Sequence, residues 1–366
     1  MLADPQLAAT IAIDDGSVPI VVTSVDGAGR PEIRQVLADG AADAASSVRA
    51  VADDTIRSGG EVLAVEPDQQ VRADAAPITN DPLRPNQWAL DQFDFEPVWP
   101  RGNGSGVCVA VVDSGVKNDH PDLTGRVVAS NDWTGEGTAA AGHHGTHVAG
   151  IIAAVPDNAA GVVGAAPGVD LLNAKVLTAV GAGFDSWVAA GVIWSVDQGA
   201  DVVNLSLGAS CVPSPPTITC RSSAMQLAMD YARDRDVVVV ASAGNDGASS
   251  GRWSYPAAFD WPIAVASISS DGTRSSFSTV ADYVDVAAPG AGIRSTIANN
   301  GYADMSGTSM AAPYVTALAA LARSIHPNEM AQQIRDRIVT TTADRGSPGW
   351  DSSYGTGVIN PLLATS

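Results

Sequence analysis

Five apolar, largely β-branched runs set the main limit on how this chain can fold: Val107–Val112, Leu171–Val176, Val202–Leu205, Val237–Ala241 and Ile263–Ala266. The first is continuous, as a strand buried on both faces requires, and the others are similar. Between them His144–Ala154, Ser186–Gln198 and Ser222–Arg233 read as helices. A long apolar helix over Ser309–Ile325 and a shorter one over Asn328–Val339 follow. Strands alternating with helices predict an α/β class: a mostly parallel sheet with helices on both faces and right-handed crossovers. Active sites of such sheets lie where strands end and helices begin.

The chain changes character near Ala75–Pro85, where ADAAPITNDPLRP reads as a Pro-rich linker. Before it, PIVVTSV (Pro19–Val25) alternates as a strand, Pro31–Ala42 reads as a helix with an early proline, and VRAVAD and EVLAVEPD read as further strands. A small α+β module over residues 1–76 therefore precedes a larger domain over residues 77–366.

Composition removes several functions. The 366 residues carry 20 Lys and Arg against 40 Asp and Glu, a formal net charge of −20, with Lys117 and Lys175 the only lysines. Such a surface repels phosphate backbones, so nucleic acid is not an expected partner. No apolar run is long enough to span a membrane. The start, MLADPQLAATIAIDD, lacks a basic region and makes a poor export leader; either export is absent or the natural start lies upstream. Cys211 and Cys220 flank the short stretch VPSPPTIT, which suggests a disulfide and an oxidising compartment, while Cys108 sits in an apolar strand as a buried small residue.

Four segments carry chemistry. Asp113 ends a strand in VAVVDSGV; His144 opens a helix in HHGTHVAG; Asn245 lies in a Gly-flanked loop in VVVVASAGNDG; Ser309 opens the apolar helix in SGTSMAAP. Alone, Asp113 is a turn former and Ser309 a helix cap. Together they supply a nucleophile, an imidazole, a carboxylate to orient it and donors for an oxyanion. The order Asp, His, Asn, Ser with these motifs resembles the subtilisin-like serine peptidases over roughly Pro85–Leu363.

The resemblance implies a subtilisin-like three-layer fold and a ferredoxin-like inhibitory propeptide in the N-terminal module. It implies a serine endopeptidase with Asp113, His144 and Ser309 as triad and Asn245 with the Ser309 N–H as oxyanion hole. The esterase alternative places its Ser in a GxSxG elbow with the triad order Ser, Asp, His; SGTSMAAP lacks that elbow and the order here differs. His147, a turn beyond His144, is expected to pack structurally. Ser206, Leu207 and Gly208 in NLSLG would wall the substrate groove opposite an edge strand at Gly181–Gly183; Ser242, Ala243 and Gly244 would form the other pocket wall, Ser254 the floor and Asp246 the rim. Catalysis needs no cofactor. A structural calcium on Asp122, Gln87 and Asn158 is implied, against a solvated acidic turn. Expected partners are protein or peptide substrates and the chain's own propeptide, with the chain secreted and monomeric.

Overall fold

The computed structural model describes residues 20–36, 41–67, 79–212, 221–248 and 251–366. The chain divides into two compact units, Met1–Ala76 and Pro77–Ser366.

In the first unit, strands β1 (Ile20–Val25), β2 (Pro31–Val36) and β3 (Glu61–Pro67) form an antiparallel sheet in the order β2-β1-β3, with helix α1 (Ala41–Arg57) between β2 and β3. Two sequence expectations are corrected here. Pro31–Val36 is a strand, because a tight turn returns it beside β1: Asp26 Oδ1 accepts the N–H groups of Ala28 and Arg30, at 2.8 and 2.9 Å. VRAVAD lies inside α1, where Val48 and Val51 pack on the Ile20, Val22 and Val36 core.

The second unit opens with the short helix α2 (Trp88–Gln92), followed by β4 (Cys108–Asp113), β5 (Val127–Asp132), α3 (His143–Ala153), β6 (Asp170–Lys175), α4 (Asp185–Asp197) and β7 (Val202–Leu205). Then come β8 (Ala209–Cys211), α5 (Ser223–Arg233), β9 (Val238–Ser242), β10 (Trp253–Tyr255), β11 (Ile263–Ile268), β12 (Val286–Pro289), β13 (Ile293–Ile297) and β14 (Gly301–Met305). Helices α6 (Thr308–Ile325), α7 (Ala331–Thr340) and α8 (Pro361–Ala364) complete it. Seven strands form one parallel sheet in the order β12-β11-β9-β7-β4-β6-β5. One core cluster joins α3, α6 and α7 to one set of strand side chains, and a second joins α4 and α5 to the other. That is the expected three-layer arrangement.

Strand order reverses at β4: the chain runs out to β5 at one edge, returns to β6 beside β4, then crosses to β7 and beyond on the other side. A crevice opens at such a switch point, outside the carboxyl ends of the strands. Two short sheets, β8 with β10 and β13 with β14, flank the main one. No helix among the described residues is long and apolar enough to cross a membrane.

Candidate active site

Asp113 is the last residue of β4 and is fully buried. Its Oδ1 accepts the Ser114 N–H at 2.6 Å. Its two oxygens lie 2.8 and 2.9 Å from His144 Nδ1, in the first turn of α3. A carboxylate only accepts, so Nδ1 carries the hydrogen and Nε2 is left as the basic atom. Burial works against the protonated ring, but the charge and hydrogen bond of Asp113 outweigh it and raise the His144 pKa above its ordinary value. Helix and strand can approach this closely because residue 145 is glycine. A Cβ there would lie 2.7 Å from the Gly115 carbonyl and 3.1 Å from Asp113 Oδ1.

Ser309 lies in the first turn of α6, where the helix offers its N–H no acceptor. Its Oγ donates to the Ser206 carbonyl at 3.2 Å rather than to His144, though both side chains line the same cleft. Pro313 has no N–H to return to the Ser309 carbonyl four residues earlier. Ser206 Oγ donates to that carbonyl instead, at 2.8 Å, tying the end of β7 to the start of α6.

Asn245 follows β9. Its Oδ1 accepts both the N–H and the hydroxyl of Thr308, at 2.9 and 3.0 Å, so the amide nitrogen is the end turned toward the cleft. A Cβ built on Gly307 would lie 3.5 Å from Asn245 Nδ2 and 3.6 Å from the Ser309 nitrogen. Two N–H donors thus stand on one side of Gly307, as an oxyanion site requires.

The cleft encloses about 800 Å³. It is lined by Gly181 and Gly183 on one side, by Ser206, Leu207 and Gly208 on the other, and by Ser242, Gly244, Ser254 and Asp246. Ser254 sits between the two glycine walls: a Cβ on Gly208 would lie 2.6 Å from its Oγ, and one on Gly244 3.1 Å from its Cβ. One expected wall residue is corrected. Ala243 is buried with Ala266, Ile268 and Val284, facing the core and not the cleft. His147 is buried, with Nε2 on the carbonyls of Ile293 and Ala303 at 2.9 and 3.1 Å; burial pushes its pKa down to about 4, so it stays neutral. Burial pushes the Cys108 thiol up to about 11, which leaves it unreactive.

Of the three residues expected at a calcium site, two meet. Asp122 is fully buried; Asn158 Nδ2 donates to its Oδ1 at 3.0 Å, the Val162 N–H to its Oδ2 at 2.9 Å, and the Tyr302 hydroxyl bonds it as well. Burial raises its pKa nonetheless. Gln87 is the correction: its amide grips the Val163 backbone by both ends, at 2.8 and 2.9 Å. Asp81, which the sequence reading missed, joins instead. It is buried, and its oxygens take the N–H groups of Asp157 and Asn158 at 2.9 and 3.3 Å. Two buried carboxylates from separate segments therefore flank Asn158 with no ion pair to either among the described residues, and two such charges brought together suit a hard cation. No three His, Cys, Asp or Glu side chains cluster among the described residues, so a metal would also need amide and carbonyl oxygens.

The subtilase family profile matches residues 104–357. The chain belongs to the subtilase family. This subtilase is 41% identical over 288 residues to thermitase of Thermoactinomyces vulgaris, covering 78% of this chain and 98% of that protein. It is 42% identical over 270 residues to subtilisin NAT of Bacillus subtilis subsp. natto, covering 71% of this chain and 66% of that protein. Among solved structures it is similar to MycP1 with its N-terminal propeptide removed, at TM-score 0.67 and 29% identity, covering 76% of this chain and 96% of that one. This subtilase is a serine-type endopeptidase.

Proposed function

We propose that this subtilase cleaves peptide bonds in protein substrates with Ser309 as nucleophile, His144 as general base and acid, and Asp113 as the carboxylate that holds the imidazole. A turn about the Ser309 side chain brings Oγ from the Ser206 carbonyl toward His144 Nε2. Nε2 takes the hydroxyl proton as Oγ attacks the scissile carbonyl, and the developing oxyanion rests on Asn245 Nδ2 and the Ser309 N–H. Collapse passes the proton from Nε2 to the leaving amine; water then hydrolyses the acyl-enzyme by the same route. The observation that carries this reading is the buried Asp113 bonded to His144 in the cleft that Ser309 also lines. The test is labelling by a fluorophosphonate. Wild type should be modified at Ser309 and digest casein, and folded Ser309→Ala should do neither. Casein digestion by that variant would refute the assignment.

Three further proposals complete the reading. Residues 1–76 act as a propeptide that the enzyme removes. A calcium ion is held through Asp81, Asp122 and Asn158 and balances the buried charge of the two carboxylates; chelation that leaves the melting temperature unchanged argues against it. Cys211 and Cys220 form a disulfide suited to export. Its support is that Cys108 is the free cysteine among the described residues; Cys220 lies outside them, and non-reducing peptide mapping checks the pair.

A further inference from the structure

Lys175, the last residue of β6, is fully buried beside the site. Its Nζ donates to the carbonyls of Ser114 and Leu177, at 3.0 and 2.9 Å, and pairs with Glu136 Oε2 at 2.9 Å. The same Glu136 oxygen accepts the Ala179 N–H at 2.9 Å. One element beside the triad and one wall of the cleft therefore meet at one buried ammonium: the turn after Asp113 and the start of the loop 177–184.

The loop is tied at both ends, by the Leu177 N–H on the Asp113 carbonyl at 3.1 Å and by the Phe184 carbonyl, which accepts the Trp187 and Val188 N–H groups at 2.9 and 3.1 Å. Between those ends its other bonds are internal: Thr178 N–H to Ala182 at 2.7 Å, Gly181 N–H to Thr178 at 2.8 Å, Ala182 N–H to the Thr178 hydroxyl at 3.1 Å, and a bridge between Leu177 and Gly183. Among the described residues, the Ala179–Glu136 bond is the one hydrogen bond joining residues 178–183 to chain outside the loop. Phe184, at the loop's far end, stacks edge-on against Trp187 with ring centroids 4.7 Å apart, but Val180 in the middle is exposed, so side-chain packing restrains residues 178–183 little. Glu136 is itself held in place. Asp132 Oδ1 accepts the Thr134 N–H at 2.9 Å, Asp132 Oδ2 accepts the Gly137 N–H at 2.8 Å, and the Glu136 N–H donates to Thr134 Oγ1 at 3.2 Å.

We propose that Glu136 is a positioning residue for extended substrate: with Lys175 it latches the loop 177–184, so that the Gly181–Gly183 edge is preset to receive a peptide strand. The proposal rests on the reading of that edge as the substrate-binding strand. Strand addition needs a fixed edge, because a mobile one must be ordered at the expense of affinity. Reaction at the scissile bond needs only the triad and the oxyanion donors, none of which Glu136 touches. The latch should therefore act on KM for long peptides and leave short substrates alone.

The test uses the active enzyme and two chromogenic substrates with the same residue at the cleaved bond, one an acylated single residue and the other a tetrapeptide. Wild type, Glu136→Ala and Glu136→Gln are compared after their melting temperatures have shown each to be folded. Wild type should gain in kcat/KM with length. Glu136→Ala should lose about tenfold on the tetrapeptide through KM, the scale of one hydrogen bond to a charged group, and nothing on the single residue. Glu136→Gln, whose amide oxygen can accept both bonds, should recover most of the loss. A wild-type gain that survives in Glu136→Ala, or an equal loss on both substrates, overturns the latch. A wild type that gains nothing from length refutes the reading of the groove, and with it the latch's role in binding.

Discussion

Two hydrogen bonds decide what Asn245 can do. With Thr308 occupying its Oδ1 twice, the amide cannot reverse without losing both bonds, so Nδ2 stays aimed beside the Ser309 nitrogen. In the proposed mechanism its role belongs to the tetrahedral state, and Asn245→Leu should lower kcat by about 10²–10³ with KM little changed. A change confined to KM would assign Asn245 to substrate binding instead. His144 gives a prediction with a sign. In the proposed mechanism its neutral form is the base; Asp113 raises its pKa, so kcat/KM should fall as pH drops through a value above the ordinary imidazole range. Asp113→Asn removes that charge. The acid limb should move to lower pH while kcat falls steeply, about 10⁴-fold for loss of such an orienting carboxylate. A pH profile unmoved by the substitution would show that another group sets the limb.

Ser254 of β10 lies between the segments that follow β7 and β9, and its contact with Gly208 is tight enough to be read by one methyl group. A Cβ at Gly208 would press on Ser254 Oγ at 2.6 Å and on the Tyr255 carbonyl at 3.0 Å. Gly208→Ala should therefore shrink the pocket and cut the preference for a large aromatic residue over alanine at the cleaved bond by about tenfold or more, the scale of a methylene in a pocket. Unchanged relative kcat/KM for the two would place the floor elsewhere. The long elements were legible because strands covered on both faces and helices under them leave unbroken apolar runs. Asp113, His144, Asn245 and Ser309 were legible because each sits in a local motif. Pro31–Val36 was not: an early proline and mixed polarity suit a helix start equally well, and only pairing with β1 makes it a strand. Asp81, Glu136 and Thr308 were invisible for another reason. Their partners lie 76, 43 and 63 residues away, at distances no local pattern encodes.

The whole parallel sheet shares that non-local character, and it bears on how the chain reaches its fold. β4 must pair with β6 and with β7, and its register with β7 joins Val109 to Val202, 93 positions apart. Every such contact requires closing a long loop before it returns any stabilisation, so folding of the second unit should be slow. A net charge of −20 adds self-repulsion to compaction. A partner that binds the sheet's helices before the core closes would lower that barrier, and residues 1–76 form a compact unit of their own, encoded in the same chain. Their segment around Val71–Ala76, expected to end in the groove as a cleaved strand, lies outside the described residues. If it does end there, the bonds that hold substrate also make the released module an inhibitor. Two outcomes follow for protein denatured and diluted into buffer. Residues 77–366 alone should recover little activity, and adding residues 1–76 in trans should raise the yield while inhibiting the enzyme that forms. Efficient refolding of residues 77–366 without the module, with no inhibition when it is added, would show that the first 76 residues serve some other purpose.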